Sequence, residues 1–180
     1  EKSPKLSASI VRPSVIFGPK DDFTNRFASI LKLTHGLIPL ACSISRLQPV
    51  YVVDVANAII TLLENQGYSG KSYDIGGPEI FTLREVVEYV GKIMGINTKV
   101  IPLNNLFSTA QAHILEHMPG KPFSRDNLRS LKKDSICNST NTLEELGICA
   151  TPMNEILPSY LANASIKNRY PEYRNLAGRP

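Results

Sequence analysis

The stretch Leu6–Pro19, LSASIVRPSVIFGP, limits the possible folds more than any other part of the chain. Ala8-Ser9-Ile10-Val11 is a short apolar run of the kind that forms a buried strand. Arg12-Pro13 interrupts it, because proline has no amide hydrogen to give to a ladder. Ser14-Val15-Ile16-Phe17 resumes an extended path, and Gly18-Pro19 stops it. A buried strand that ends in a proline-broken loop is how an open parallel sheet makes a crevice, and ligands of such sheets sit outside the carboxyl ends of the strands.

The rest of the chain supplies walls for such a crevice. Asp21-Asp22 reads as a helix start, followed by Phe23, Phe27, Ile30 and Leu31 on one face to about Leu33, with Gly36 as the stop. Leu37–Ser45 reads as irregular. Arg46–Val52 reads as extended, with Pro49 arguing for a sheet edge or a bend. A helix follows from Val53, with Val55, Ala56, Ile59, Ile60 and Leu63 expected inside and Asp54 in the first turn, where a carboxylate opposes the positive helix end. Gly67–Gly70 turns the chain into a strand, Lys71–Ile75. Thr82 and Glu85 then form a capping box ahead of the apolar stripe Leu83, Val86, Val87, Val90, Ile93 and Met94. Gly95 ends that helix and Thr98–Leu103 reads as another strand, so Lys71–Leu103 is expected to be a parallel strand–helix–strand unit.

The last third reads as helical. Leu106, Phe107, Ala110, Ile114, Leu115 and Met118 suggest one amphipathic helix, broken at Pro119-Gly120. Ser124 is expected to cap a short helix to about Lys133. Thr142 and Glu145 form a second capping box. Pro152 opens a helix carrying Met153, Ile156, Leu157 and Leu161. Residues 164–180 are polar and basic and are expected to be a mobile tail. The pattern is α/β in class.

Composition excludes several roles. Twenty Lys and Arg against sixteen Asp and Glu give a mild +4 charge, with no basic stripe interleaved with aromatics, so nucleic acid is not an expected partner. Three scattered cysteines, Cys42, Cys137 and Cys149, fit a reducing compartment rather than a disulfide framework. No apolar run reaches the length of a membrane span, and no signal peptide is visible at the start. The chain starts at Glu1 and enters a strand almost at once, which reads as a piece of a longer protein.

No common catalytic signature is present. G-x-S-x-G, H-E-x-x-H, the P-loop and G-x-G-x-x-G are all missing, and none of the seven tyrosines has a lysine four residues on. His113 and His117 share a helix face at a spacing that can bind zinc, but no third ligand is in reach, and no metal is expected. Arg12 is suited either to neutralise an anionic ligand or to pair with Asp54 and pin the strand to a helix start. Asp54 is either a general base or, with more weight, a structural carboxylate. Asn25 and Arg26, in the first turn after the crevice loop, face a ligand or solvent.

Taken together, these residues resemble the C-terminal half of the extended short-chain dehydrogenase/reductase family, the epimerase and dehydratase relatives. The resemblance rests on Arg12-Pro13-Ser14-Val15-Ile16-Phe17-Gly18-Pro19, on Val52-Val53-Asp54-Val55-Ala56-Asn57-Ala58, and on Tyr73-Asp74-Ile75-Gly76-Gly77 followed by Phe81-Thr82-Leu83-Arg84-Glu85. A tighter match is to an atypical branch, the NAD(P)-binding subunit 9 of the complex I alpha subcomplex and its bacterial relatives. It rests on Asp22–Phe27, Gln48–Ala56 and Ile156–Leu161.

The resemblance implies a Rossmann-type fold. Residues 1–163 would form its C-terminal, substrate-side part, with a few parallel strands and a mostly helical subdomain. It implies that Pro13, Ser14 and Val15 line the nicotinamide end of a bound NAD(P), expected as NADP(H), and that Asn25, Arg26 and Gln48 fall on the substrate side. The family's glycine-rich phosphate turn and its Tyr-x-x-x-Lys acid/base pair would lie before Glu1. Epimerases of the family carry an arginine at the position of Leu47. Arg46 is one residue off, which in a strand turns a side chain to the other face. That departure favours the atypical branch, with a structural cofactor and no catalytic residue in this chain. An epimerase, dehydratase or reductase using an upstream Tyr-x-x-x-Lys, or a remnant of a split gene, are the alternatives. The implied partner is the N-terminal half or another subunit, with respiratory complex I as the assembly. The implied location is the bacterial cytoplasm or the matrix side of the mitochondrial inner membrane. Without its neighbour the first strand would have an open edge and an open apolar face, which predicts aggregation or a partner.

Overall fold

A computed structural model of the chain describes residues 8–68, 70–116, 125–137 and 142–162. The first strand, β1 (Ile10–Pro13), runs two residues later than its apolar run suggests, because its pairing is set by β6 (Ser72–Ile75), in parallel register from Ile10 opposite Ser72 to Pro13 opposite Ile75. Beyond the Ser14-Val15 step, β2 (Ile16–Phe17) pairs in parallel with β5 (Val50–Tyr51). Helix α1 (Asp22–Leu33) starts where expected, on Asp21 as N-cap, and closes through His35 and Gly36, both at positive φ. Glycine is required at position 36, since a Cβ there would stand 2.1 Å from the Asn97 carbonyl oxygen.

Two expectations fail in the segment that follows. Leu37–Leu40 is not irregular but a strand, β3, parallel to β8 (Lys99–Pro102). Consequently β6 and β8 do not pair around the helix between them, and Lys71–Leu103 is not a closed strand–helix–strand unit: β6 serves β1, and β8 serves β3. The short β3 alternates exposed and buried residues around Pro39, and its pairing is non-local, which local sequence does not reveal. Between these strands β4 (Arg46–Leu47) pairs antiparallel with β7 (Phe81–Thr82).

Helix α2 (Val52–Glu64) has the expected position but not the expected orientation. Asp54, Val55 and Ala58 are its buried residues, whereas Ala56, Ile59, Ile60 and Leu63 are exposed. Asp54 fixes the rotation. Its carboxylate accepts from the Thr151 amide at 2.7 Å and the Thr151 hydroxyl at 3.1 Å, turning the polar first turn inward. Helix α3 (Leu83–Met94) fulfils the capping box, with Thr82 and Glu85 bonded reciprocally, and buries Leu83, Val86, Val87, Val90 and Met94 of the predicted stripe, with Ile93 half-buried.

In helix α4 (Asn105–Glu116) Leu106, Phe107 and Ala110 of the expected face are exposed and Ser108 is buried, while the side chains of Ile114 and Leu115 lie outside what the structure describes. Helices α5 (Arg125–Leu131) and α6 (Thr142–Glu145) follow, and the side chain of Thr142, on which the second capping box depends, lies outside what the structure describes. A last helix, α7, spans 153–162 and buries Met153, Leu157 and Leu161 as predicted. His117, Met118, the Pro119-Gly120 break, the Ser124 cap and the 164–180 tail lie outside the described residues.

Two cores result. The larger joins Phe17, Leu31, Ile38, Leu47, the α3 stripe and α7. The smaller joins Val50, Val55, Ala58, Tyr73, Ile75 and Leu143 beneath the β1–β6 pair.

Candidate functional site

The carboxyl ends of β1, β2 and β6 meet the segments 48–51 and 135–137 in one place. The Ser14 amide donates to the Ile75 carbonyl at 2.8 Å, the Val50 amide to Val15 at 2.9 Å, and the Gly77 amide to Gln48 at 3.3 Å. Gly77 permits this crossing: a Cβ there would lie 1.9 Å from the Pro49 carbonyl oxygen. Side chains complete the knot. The Ser14 hydroxyl donates to the Ser135 carbonyl and accepts from the Gln48 amide at 3.3 Å. The Gln48 side chain donates to the Gly77 carbonyl at 2.7 Å and accepts from the Cys137 amide at 2.9 Å. Buried backbone groups need such partners, and here two side chains provide them.

The structure thus brings Pro13, Ser14, Val15 and Gln48 together. It leaves Asn25 and Arg26 beyond the loop, on α1, where the Asn25 side-chain Nδ2 donates to the Asp21 backbone carbonyl at 2.9 Å. The Arg12–Asp54 pairing is not formed. Arg12 bonds Asp74 across the β1–β6 register at 2.6 Å, while Asp54 faces Thr151. The two partners diverge because Arg12 points along the sheet to its strand neighbour, whereas the first turn of α2 faces residues 148–152.

A cluster not anticipated from sequence stands at the start of α1. Asp21 accepts from the amides of Thr24, Asn25 and Gly18, from the Thr24 hydroxyl at 2.6 Å, and from the Tyr160 hydroxyl at 3.1 Å. Burial, with the Asp21 charge beside it, raises the Tyr160 hydroxyl pKa well above the ordinary tyrosine value, although the Thr24 hydrogen bond opposes this. The N-cap role of Asp21 was legible, but its tie to α7 spans 139 residues and leaves no local signal.

Asp21 also takes up part of the α1 N-terminus: its carboxylate accepts two of the first four amides, those of Thr24 and Asn25, and Thr82 accepts the Glu85 amide of α3, whereas α2 starts without a side-chain cap. Beside the knot Pro13 and Ile16 are exposed, and a cavity of about 530 Å³ is lined by Ile16, Phe17, Gly18, Pro19, Lys20, Asp21, Asp22 and Val52.

Arg46 and Leu47 behave as the strand alternation requires. Leu47 is 1% exposed in the core, and Arg46 points outward to Asp134 at 2.8 Å. The Arg46 amide and guanidinium together lower the Asp134 pKa below its ordinary value. Among the described residues no group of three His, Cys, Asp or Glu side chains is arranged for a metal, and no helix is long and apolar enough to cross a membrane.

No protein-family model matches the chain. Among curated proteins it is similar to NADH dehydrogenase (ubiquinone) 1 alpha subcomplex subunit 9, mitochondrial, of Dictyostelium discoideum. The two are 31% identical over 155 residues, 84% of this chain and 43% of the relative. The Arabidopsis thaliana protein of the same name is 32% identical over 148 residues, 76% of this chain and 36% of that one. The chain therefore spans less than half the length of these relatives. Among solved structures, a dTDP-glucose 4,6-dehydratase from Streptomyces venezuelae with NAD bound superposes with a TM-score of 0.61 at 18% identity, over 91% of this chain and 45% of that one. The fold is the Rossmann-type α/β fold of such enzymes.

Proposed function

We propose that this chain, an atypical member of the extended short-chain dehydrogenase/reductase family and a homologue of subunit 9 of the complex I alpha subcomplex, supplies the nicotinamide-side wall of an NAD(P) site whose cofactor is structural. The observation that carries the reading is the knot at Ser14 and Gln48. The Ser14 hydroxyl and both ends of the Gln48 side-chain amide are engaged by backbone groups, the Ser14 hydroxyl also lying 3.1 Å from the Ser135 hydroxyl, so the wall serves to hold loops in place. Pro13, Ser14 and Val15 would meet the cofactor, expected as NADP(H), mainly through backbone and ring faces. A bound dinucleotide supplies hydride chemistry where an acid/base partner exists, and here its contribution is to bridge this wall to the element that holds the pyrophosphate.

That element docks on the free edge of β1 and the exposed face of α2. A parallel strand and a covering helix fit there, from the same polypeptide or a second one. In this reading the assembled unit is a peripheral part of mitochondrial complex I, and Asn25, Arg26 and Gln48 lie toward the substrate side of the fold.

Calorimetric titration of NADPH into the 180-residue chain alone tests the division of labour. The expected result is binding weaker than micromolar, and micromolar or tighter binding overturns it. A tagged chain followed on native gels of mitochondrial extract tests the assembly. Co-migration with complex I is expected, and a tag found only in small species contradicts it.

A further inference from the structure

Adjoining the cavity at Gly18-Pro19, with which it shares Asp22, a second cavity of about 290 Å³ lies between the first two turns of α1 and helix α5. That volume is at the lower end of what small-molecule sites occupy. Its walls are apolar: Val15, Phe23, Phe27 and Leu131. Phe23 and Phe27 stand four residues apart on one helix face, ring centroids 5.4 Å apart and nearly perpendicular, and both remain only partly buried although they rest on the larger core. Half-covered aromatic rings around a space of this size leave apolar surface for a guest to cover.

The rim is polar but balanced. Asp22 and Arg26 sit on the α1 side, one charge of each sign, and Asn127 and Ser130 sit on the α5 side. Among the described lining residues Arg26 is the one cation, whereas a diphosphate needs several charge-assisted donors. We infer that this cavity binds a small uncharged apolar group carrying one hydrogen-bonding end, held between the Phe23/Phe27 pair and Leu131, and that it rejects nucleotides. The inference rests on the reading above and deepens it, since Val15 belongs to the proposed wall and Arg26 to its substrate side, while the alcohols probe this cavity and NADPH probes the wall.

Saturation-transfer NMR and calorimetry with 2-naphthol, 1-decanol and UDP test it on the full chain. Either the aromatic or the alkyl alcohol is expected to bind, the stronger of the two showing which guest shape the site takes, while UDP gives no signal. Ser130→Phe, at an exposed rim position, is expected to fill the space and weaken the alcohol at least tenfold with an unchanged circular dichroism spectrum. Asp22→Asn is expected to leave that affinity within twofold. Binding of UDP in preference to both alcohols, no binding of either alcohol, or an affinity unmoved by Ser130→Phe would each overturn the inference.

Discussion

The two cores of the molecule differ in completeness. Around the larger one, α1, α3 and α7 close on Phe17 and the β3–β8 region, and Leu31, Leu83, Val86, Val87, Val90 and Leu157 are all fully buried. Around the smaller one, the β1–β6 pair and α2 are covered on one side only. Ile10 of β1 is 58% exposed, and on the outer face of α2 Ile60 is 50% and Leu63 79% exposed. The difference is already written in the helices: α1 and α3 set charged residues opposite their apolar stripes, whereas α2 is apolar on more than one side. A helix that is apolar all round is a helix meant to lie between two layers, and among the described residues α2 has one. The larger core is closed by the described residues, whereas the smaller one leaves apolar area that a further layer would bury.

The largest expected effect tests the closed core. Phe17→Ala empties a fully buried aromatic site where β2 meets α1, and should cost about 3–5 kcal/mol in chemical unfolding. A cost below about 1 kcal/mol would mean that this core is no better sealed than the other, and the contrast would fail.

How far the sequence reached follows the same line. Helix α3 was legible in full because its cap, stripe and stop are all local, from Thr82 to Gly95. Helix α1 was legible for the same reason. Strand β3 was not, since its only support is a partner some sixty residues on, Leu37 opposite Lys99. The face of α2 was misjudged because its hydrophobic residues cover more than one side, and what selects the inner one is Asp54 reaching Thr151, a contact across 97 residues. In the site, the alternation that turns Arg46 out and Leu47 in was readable from strand geometry alone. The partners of Ser14, Gln48 and Tyr160 were not, because a serine, a glutamine and a tyrosine satisfy backbone or hydroxyl groups wherever the chain delivers them.

A smaller effect comes from the cap of α3, inside the closed region. Glu85 accepts from the Thr82 amide and hydroxyl, and those hydrogen bonds lower its pKa below the ordinary carboxylate value. A carboxylate depressed in the folded state stabilises above the unfolded value, and that contribution is lost as pH falls through the folded one. Unfolding midpoints should therefore decline below about pH 4.5 in the native chain. Thr82→Ala should cost about 1 kcal/mol at neutral pH and flatten that part of the decline. Because Glu85 is exposed, an acid response that is unchanged in Thr82→Ala would assign it to other carboxylates.

The smallest effect on stability is the one that separates the regions most sharply. Leu63→Ser removes a large apolar side chain from α2, yet at 79% exposure little of it is withdrawn from water in the isolated chain. The stability change should stay within about 0.5 kcal/mol, as for surface substitutions in general. Association should respond instead. If the outer face of α2 is a docking surface, chains carrying it collect with one another when nothing else covers it, and a polar residue at its most exposed point should reduce that tendency. Light scattering against concentration measures the effect directly, with Leu63→Ser expected to stay monodisperse at concentrations where the native chain does not. Two results would reverse the comparison. A loss above about 1.5 kcal/mol would place Leu63 in a packed environment. Equal association of both chains would move the incomplete surface elsewhere, to the β1 edge, where unpaired backbone rather than apolar area drives pairing.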